Sequence, residues 1–320
     1  MADKKLKLAV YWAASCGGCD VAITHLHEKI LDLVEVADLV FWPCAMDFKY
    51  SDVEAMADGE IDVCLFNGAI RTSDHEHIAK LLRRKSKVMV AYGSCSCFGG
   101  IPGLSNVTTA EESLSRAYLE EPTNPNKEKL LPQLKTKVPE GELVLPSVWD
   151  TVHSLNQVVK TEYFLPGCPP TPELTWAAVE AIATNKLPPP GSVIAGKKAL
   201  CDECERVKKD KMKVKEFKRP WEIQIDPEQC LLEQGLVCMG PATRSGCGAL
   251  CIKVNMPCRG CFGPPEGVHD QGAAMLSALA SVVDCNDEAE MVKILDGVKD
   301  PLATFYRFTL PESTLRRAKV

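Results

Sequence analysis

The arrangement of its cysteines constrains this chain more than any other feature of the sequence. Twelve of the sixteen cysteines fall into three sets of four, most of them in Cys-x-x-Cys pairs or beside glycine. The first set is spread over three distant segments and comprises Cys16, Cys19, Cys95 and Cys168. The second set comprises Cys201, Cys204, Cys230 and Cys238, and the third comprises Cys247, Cys251, Cys258 and Cys261. Four thiolates satisfy every iron of a cubane cluster. The spacing therefore predicts three four-iron clusters and a role in electron transfer.

Disulfides and structural zinc are the alternatives to iron–sulfur clusters. Disulfides are typical of secreted proteins, but residues 1–12 contain neither a long apolar core nor a plausible cleavage site. We therefore expect reduced cysteines. Tetrahedral zinc also uses Cys-x-x-Cys pairs, so it stays open for the second and third sets. Zinc does not explain the first set, because its cysteines lie in three separate segments flanked by Gly and Pro.

The composition limits the class of protein. With 46% hydrophobic and 25% charged residues, a chain of 320 residues can bury a full core, and we expect one large domain and a smaller one. No stretch reaches the roughly eighteen apolar residues of a membrane span. A net charge of −6 argues against nucleic acid as the main partner. The basic segment 206–219 is either a solvated loop or a docking surface for an acidic redox partner.

Strands alternate with helices in the first half of the chain. Short apolar runs rich in Val, Leu and aromatic residues predict buried strands over 7–12, 38–42, 62–67, 87–92 and 162–165. Apolar residues at spacings of three and four predict helices over 20–34, 73–85 and 171–183, with Ser73 capping the second. This alternation indicates an α/β fold with a parallel, flavodoxin-like sheet.

All four cysteines of the first set follow predicted strands. Cys16 and Cys19 come after the first strand, Cys95 after the fourth and Cys168 after the fifth. The carboxyl ends of parallel strands form the usual ligand-binding edge of an open α/β sheet. Nearby glycines allow the backbone to approach a cluster closely. We therefore expect the four cysteines to meet at this edge.

The character of the sequence changes after the proline run at 188–190. We predict a flavodoxin-like domain over 1–190 and a loop-rich, cysteine-rich iron–sulfur domain over 191–320. Segment 192–265 shows little sustained periodicity, so metal rather than an apolar core is expected to organise it. Helices are predicted over 267–284 and 287–295, and 108–146 is interpreted as a surface excursion. We expect Cys44, Cys64 and Cys285 to be buried structural thiols.

These motifs resemble a known family. Cys16-x2-Cys19, Gly93-x-Cys95-x3-Gly99-Gly100 and Pro166-Gly167-Cys168-Pro169-Pro170, followed by the cysteine-rich segment, look like the small subunit of a nickel–iron hydrogenase. The Gly-x-Cys-x3-Gly-Gly spacing favours Cys95 over Cys97 as a ligand. The resemblance assigns the first set to the proximal cluster, the third to the medial cluster and the second to the distal cluster. It implies a partner large subunit that holds the nickel–iron centre and cleaves hydrogen, so no catalytic residue is expected here.

Three departures from the family pattern refine this interpretation. Cys201 stands where many members have His, and Cys251 stands where many have Pro and a three-iron cluster. Both changes favour three four-iron clusters. Asp20 follows Cys19 directly, whereas many members carry Glu one position later, so the resemblance assigns Asp20 no role.

No twin-arginine leader or membrane anchor is recognised in the sequence. This resembles the cytoplasmic hydrogenases of methanogens that reduce methyl viologen and do not reduce the deazaflavin coenzyme. The resemblance implies two further partners, a small iron–sulfur adaptor and heterodisulfide reductase. Three alternatives stay open: the small subunit of a deazaflavin-reducing hydrogenase, a proximal-cluster subunit of the respiratory complex I type, and a non-redox zinc scaffold. The complex I type would lack the eight C-terminal cysteines.

Overall fold

The structure, a computed structural model, describes residues 5–285 and 287–316. The strands are β1 (Leu6–Trp12), β2 (Ala37–Phe41), β3 (Ile61–Asn67), β4 (Ile70–Thr72), β5 (Ser86–Tyr92), β6 (Lys135–Val138), β7 (Gly141–Val144), β8 (Val148–His153), β9 (Tyr163–Leu165) and β10 (Ser192–Val193). The α-helices are α1 (Gly18–Thr24), α2 (Lys29–Val36), α3 (Tyr50–Ala55), α4 (Ser73–Lys85), α5 (Ser94–Phe98), α6 (Ala110–Ser115), α7 (Pro172–Ala183), α8 (Leu250–Lys253), α9 (Gln271–Val282), α10 (Glu288–Leu295) and α11 (Pro301–Phe305).

Six strands form one parallel sheet in the order β2-β1-β3-β5-β9-β10. Numbered within this sheet alone, the order extends the 2-1-3-4-5 order of flavodoxin by one strand. The flavodoxin-like prediction is confirmed, and each of the five predicted strands is found within one residue of its expected limits. Two antiparallel pairs, β4 with β8 and β6 with β7, were not predicted.

Both faces of the sheet are covered, because successive side chains along a strand point to opposite sides. On one face Tyr11, Phe66 and Met89 pack with Ile78 and Leu82 of α4. The next residues along the strands, including Val10, Leu65 and Val90, pack on the other face with α1, α2 and α7. Burial on both faces explains why the strands read as continuous apolar runs.

The predicted helix over 20–34 is interrupted. The chain forms α1 and α2 with a turn between them, in which His27 has a φ of 53°. Leu33 is buried as expected, but Val34 is 38% exposed because the turn changes the direction of the second half of the predicted helix. The expected cap of α4 is also wrong. The hydroxyl of Thr72, not Ser73, accepts a hydrogen bond from the His75 N–H at 3.3 Å.

The C-terminal half has its own apolar cluster. Leu236, Met275, Leu279 and Phe305 are buried there together with much of the cysteine-rich segment. Within 192–265 the regular structure is limited to β10, α8 and two 3-10 turns, as the weak periodicity indicated. The helix predicted over 267–284 begins later, at Gln271, with Asp270 as its cap. Within the described ranges, no helix is both long and apolar enough to cross a membrane.

Candidate functional site

The first set of cysteines meets at the carboxyl edge of the sheet. Cys16 follows β1, Cys19 lies in α1, Cys95 lies in α5 after β5, and Cys168 follows β9. Burial raises the pKa of the Cys19 thiol well above its usual value, and the nearby Cys95, Cys168 and Cys16 raise it further. The pKa of Cys95 is raised to about 12, first by burial and then by Cys168 and Cys16. The structure therefore brings all four side chains together.

Two glycines make room for these thiols. Gly93 has a φ of 87°, and a Cβ atom there would lie 2.3 Å from the Cys19 Sγ. Gly100 has a φ of 56°, and its Cβ atom would lie 2.5 Å from the Cys95 Sγ. Distances this short do not occur between a carbon and a sulfur atom that are not bonded to each other. Only glycine can occupy either position while both sulfurs stay where they are.

The second set assembles in the C-terminal half. A Cβ atom on Gly240 would lie 3.2 Å from the Cys201 Sγ and 3.6 Å from the Cys238 Sγ. Burial raises the pKa of Cys201, and Cys230 and Cys204 contribute to that rise. Cys201 therefore lies near the three other cysteines of this set.

The third set assembles in the same half of the chain. The pKa of Cys258 is raised to about 12 by burial first and then by neighbours that include Cys261 and Cys247. Burial also raises the pKa of Cys247, with Cys251 among the groups that raise it further. Each cysteine of this set therefore lies near at least one other member of the set.

The third set contacts both of the others. The pKa of Cys261 is raised to about 12, first by burial and next by Cys168 of the first set, whose backbone N–H hydrogen-bonds the Cys261 thiol. At another cysteine of the third set, the Cys258 N–H donates to the Cys238 Sγ of the second set at 3.4 Å. The three sets consequently lie in series, with the third set in the middle.

Backbone N–H groups converge on several of these sulfurs. Those of Ala249 and Leu250 reach Cys247, that of Gly260 reaches Cys258, and that of Ile101 reaches Cys95. Each hydrogen bond lowers the pKa of its thiol and so favours the thiolate that a metal requires. Hydrogen bonds to sulfur are also a usual feature of iron–sulfur sites. This donor set of thiolates with backbone amides fits iron–sulfur clusters.

One carboxylate joins two of the cysteine loops. Glu203, between Cys201 and Cys204, accepts hydrogen bonds from the N–H groups of Gly246 at 2.6 Å and Gly248 at 3.1 Å. These glycines flank Cys247 of the third set.

Among the described residues, no three His, Cys, Asp or Glu side chains are placed to hold a single metal ion in common.

The remaining cysteines fall outside the three sets. Cys64 is buried, as predicted, and Cys97 is 2% exposed, with its thiol donating to the Ala91 carbonyl at 3.2 Å. The prediction of burial was wrong for Cys44, which is exposed, and for Cys285, which is only partly buried. Cys44 lies in the turn after β2, and Cys285 lies in the irregular segment between α9 and α10.

Sequence reasoning missed a buried polar network beside the first set. Asp20 is 8% exposed, and its carboxylate accepts hydrogen bonds from the Trp42 indole at 2.7 Å and the Asn67 amide at 2.8 Å. Trp42 directly follows β2 and Asn67 ends β3. Asp20 thus fixes α1, and with it Cys19, to two strands of the sheet. The signal in the sequence was a charged residue within an otherwise apolar helix face.

Comparisons with known proteins agree with this geometry. The family model described as NADH ubiquinone oxidoreductase, 20 Kd subunit, matches residues 16–182, which contain the first set and none of the second or third. The F420-non-reducing hydrogenase iron–sulfur subunit of Archaeoglobus profundus is 42% identical over 98% of both chains. This chain belongs to that hydrogenase subunit family. The corresponding F420-non-reducing hydrogenase subunits of Methanothermobacter thermautotrophicus (36% identical, 98% of this chain and 96% of the relative) and Methanococcus voltae (37%, 99% of each) support the same membership.

Solved structures agree on the fold. The NiFeSe hydrogenase of Desulfomicrobium baculatum superposes with a TM-score of 0.50 at 20% identity, covering 82% of this chain and 96% of that chain. The [NiFeSe] hydrogenase of Desulfovibrio vulgaris Hildenborough gives a TM-score of 0.51 at 15% identity, covering 82% of this chain and 95% of that chain.

As a member of the F420-non-reducing hydrogenase family of iron–sulfur subunits, the chain is an oxidoreductase subunit, and the catalytic site lies in a partner large subunit.

Proposed function

We propose that this chain conducts electrons from hydrogen oxidation in the large subunit through three [4Fe–4S] clusters. The observation that carries the proposal is the serial contact of the three cysteine sets, through Cys168 with Cys261 and through Cys258 with Cys238. We assign the proximal cluster to Cys16, Cys19, Cys95 and Cys168. We assign the medial cluster to Cys247, Cys251, Cys258 and Cys261, and the distal cluster to Cys201, Cys204, Cys230 and Cys238.

The protein's part in this function is to hold and tune the clusters. When bound, each cluster accepts and releases one electron at a time. The four thiolates fix its position, and the backbone N–H groups at Cys95, Cys247 and Cys258 stabilise negative charge on sulfur and so raise the reduction potential. Glu203 should lower the reduction potentials of the medial and distal clusters, because its negative charge disfavours an added electron.

We further propose two structural units, a flavodoxin-like domain over 1–190 and an iron–sulfur domain over 191–320. The separate apolar cluster of the C-terminal half supports this division. The two are tied by the last described segment, since Gly100 donates its N–H to the Phe308 carbonyl at 3.0 Å. Residues 1–4, 286 and 317–320 of these ranges lie outside the described residues.

We propose that the acceptor is a small iron–sulfur adaptor that passes electrons to heterodisulfide reductase in the cytoplasm of a methanogen. The names of the relatives, which specify hydrogenases that do not reduce F420, support this over a deazaflavin-reducing enzyme. Anaerobic isolation from the native cell by a tag on this chain should recover the large subunit, a small iron–sulfur protein and heterodisulfide reductase in fixed proportion. Recovery of the large subunit with an F420-binding flavoprotein instead would refute the assignment of the acceptor.

Replacing Cys251 tests the composition of the medial cluster. Cys251 is exposed in the first turn of α8, and Cys251→Pro should leave three thiolates and a three-iron cluster. We expect about eleven iron per chain instead of about twelve, with a new electron paramagnetic resonance signal in the oxidised protein. Cys251→Ala should behave alike and guards against an effect of proline on the backbone. Unchanged iron and unchanged spectra in both variants would show that Cys251 is not a ligand.

A further inference from the structure

A small basic cavity lies beside the third cysteine set, and most of its wall is formed by residues to which no role has been assigned above. It measures about 80 Å³, and Cys258 and Met239 form part of its wall. Its remaining wall includes six side chains that are positively charged or aromatic, namely Lys218, Arg219, Trp221, Arg259, Lys299 and Arg307. Of these, Lys218 is already paired with Glu216. The six residues come from three distant parts of the sequence. A cavity this small is far below the roughly 300 Å³ of a typical small-molecule pocket. It suits one or two carboxylate groups rather than a nucleotide.

The positive charges of this cavity are poorly balanced. None of Arg219, Arg259 and Arg307 forms an ion pair with a carboxylate in the part of the chain that the structure describes. Burial lowers the pKa of Arg307, and the neighbouring Arg259 and Arg219 lower it further, against a partial opposing effect of Asp300. The Asp300 carboxylate already caps α11, where it accepts the Ala303 N–H at 3.1 Å. Like charges held together in this way are stabilised when an anion approaches from outside.

An exposed aromatic ring stands at the edge of the cavity. Trp221 is 78% exposed, and the Arg219 guanidinium lies 5.8 Å from the centre of its ring. Exposing a tryptophan ring to water is unfavourable in free energy. Trp and Arg are among the residues that contribute most to binding energy at protein interfaces. The combination favours a protein surface over a free anion as the ligand, since a free phosphate gains nothing from the ring.

We propose that Arg219, Trp221, Arg259 and Arg307 form the docking site for an acidic segment of the protein that accepts electrons from this chain. The position favours the electron acceptor over the large subunit. The cavity shares Cys258 with the third set, and the Cys258 N–H contacts the Cys238 Sγ of the second set. A partner seated here lies beside both C-terminal sets and not beside the first. The inference rests on the proposed function and adds to it the contact surface of the acceptor.

Zero-length carbodiimide coupling of the intact native complex tests this inference. The reagent joins a lysine amine to a carboxylate only when the two are in contact. Lys299 lines the cavity and is exposed. We expect Lys299 to couple to an Asp or Glu of the electron-accepting subunit, as identified by mass spectrometry of the joined peptides. Lys299→Arg should abolish that product and keep the charge.

Charge variants give the control. Arg219→Glu and Arg307→Gln should each lower the yield of the coupled product at least about fivefold, because the attraction for the acidic segment is weakened. Lys211→Glu should change it by less than about twofold, since Lys211 is an exposed residue of the same basic segment that does not line the cavity. If Arg307→Gln misfolds and loses iron, the comparison of Arg219→Glu with Lys211→Glu alone tests the inference.

Three results would overturn the inference. Lys299 could couple only to carboxylates of its own chain, it could couple to the large subunit, or Arg219→Glu and Lys211→Glu could lower the yield equally. Iron and sulfide are measured on the same samples. Full cluster content without the expected coupling refutes the docking site and leaves the proposed function standing, whereas a chain without iron refutes the proposed function itself.

Discussion

Replacing Cys95 with alanine is expected to remove the proximal cluster, while the same change at Cys97 is expected to leave it intact. Cys95 lies among the other three thiols of its set, whereas Cys97 points into the apolar core and donates to the Ala91 carbonyl. Cys95→Ala should lower iron from about twelve to about eight per chain and hydrogen-dependent dye reduction below about a tenth, because the first step of electron transfer is lost.

Two controls accompany this pair of variants. Isotope exchange between hydrogen and water should persist in the Cys95→Ala complex, since it needs no electron to leave the large subunit. Cys97→Ala should cost only modest stability, on the order of 1 kcal/mol for a small buried cavity, with unchanged iron and activity. Equal loss of iron in the two variants would contradict the assignment of Cys95 as the ligand.

Adding a methyl group at Gly93 is expected to lower the iron content nearly as much as Cys95→Ala does. The Cβ atom of Gly93→Ala would lie 2.3 Å from the Cys19 Sγ, so the thiol must move away from its position in the set. We expect about eight iron per chain, as for loss of one four-iron cluster. The backbone hydrogen bond from the residue 93 N–H to the Leu165 carbonyl, 2.8 Å in length, is kept in the variant.

Gly191→Ala is the matched control for Gly93→Ala. Gly191 also has a positive φ, 93°, but nothing lies within 4 Å of the position of an added Cβ atom. Its replacement should cost about 1 kcal/mol of folding stability through backbone strain and should keep full iron. Thermal unfolding and iron content, measured together, separate the two effects. Loss of iron in Gly191→Ala alone, or in neither variant, would contradict the close approach seen at Gly93.

The sequence predicted those parts of the fold that depend on local pattern. Strands buried on both faces are continuous apolar runs, so β1, β2, β3, β5 and β9 were located within one residue. The Gly-x-Cys and Pro-Gly-Cys motifs placed Cys95 and Cys168 in the same predicted set, and the structure brings these two cysteines near each other. Spacing of apolar residues also identified Leu33 as buried, but it could not reveal the turn at His27, where a single positive φ breaks the helix.

Features that depend on contacts between distant segments were not predictable in the same way. The hydrogen bonds of Asp20 with Trp42 and Asn67 join segments that follow or end three strands of the sheet and leave no local pattern. The basic cavity likewise joins residues 219, 259 and 307. The sequence drew attention to the basic segment 206–219, but Arg206 itself is buried, and its guanidinium donates to the carbonyls of Asp226 and Gln229. Only the end of that segment, at Lys218 and Arg219, reaches the cavity.

The most direct test of the proposed electron path is the content of iron, zinc and acid-labile sulfide in anaerobically purified protein. Three four-iron cubanes require about twelve iron and about twelve sulfide per chain, and this is the result that we predict. Zinc bound without sulfide would contradict the electron-transfer role and would leave the second and third cysteine sets as structural sites.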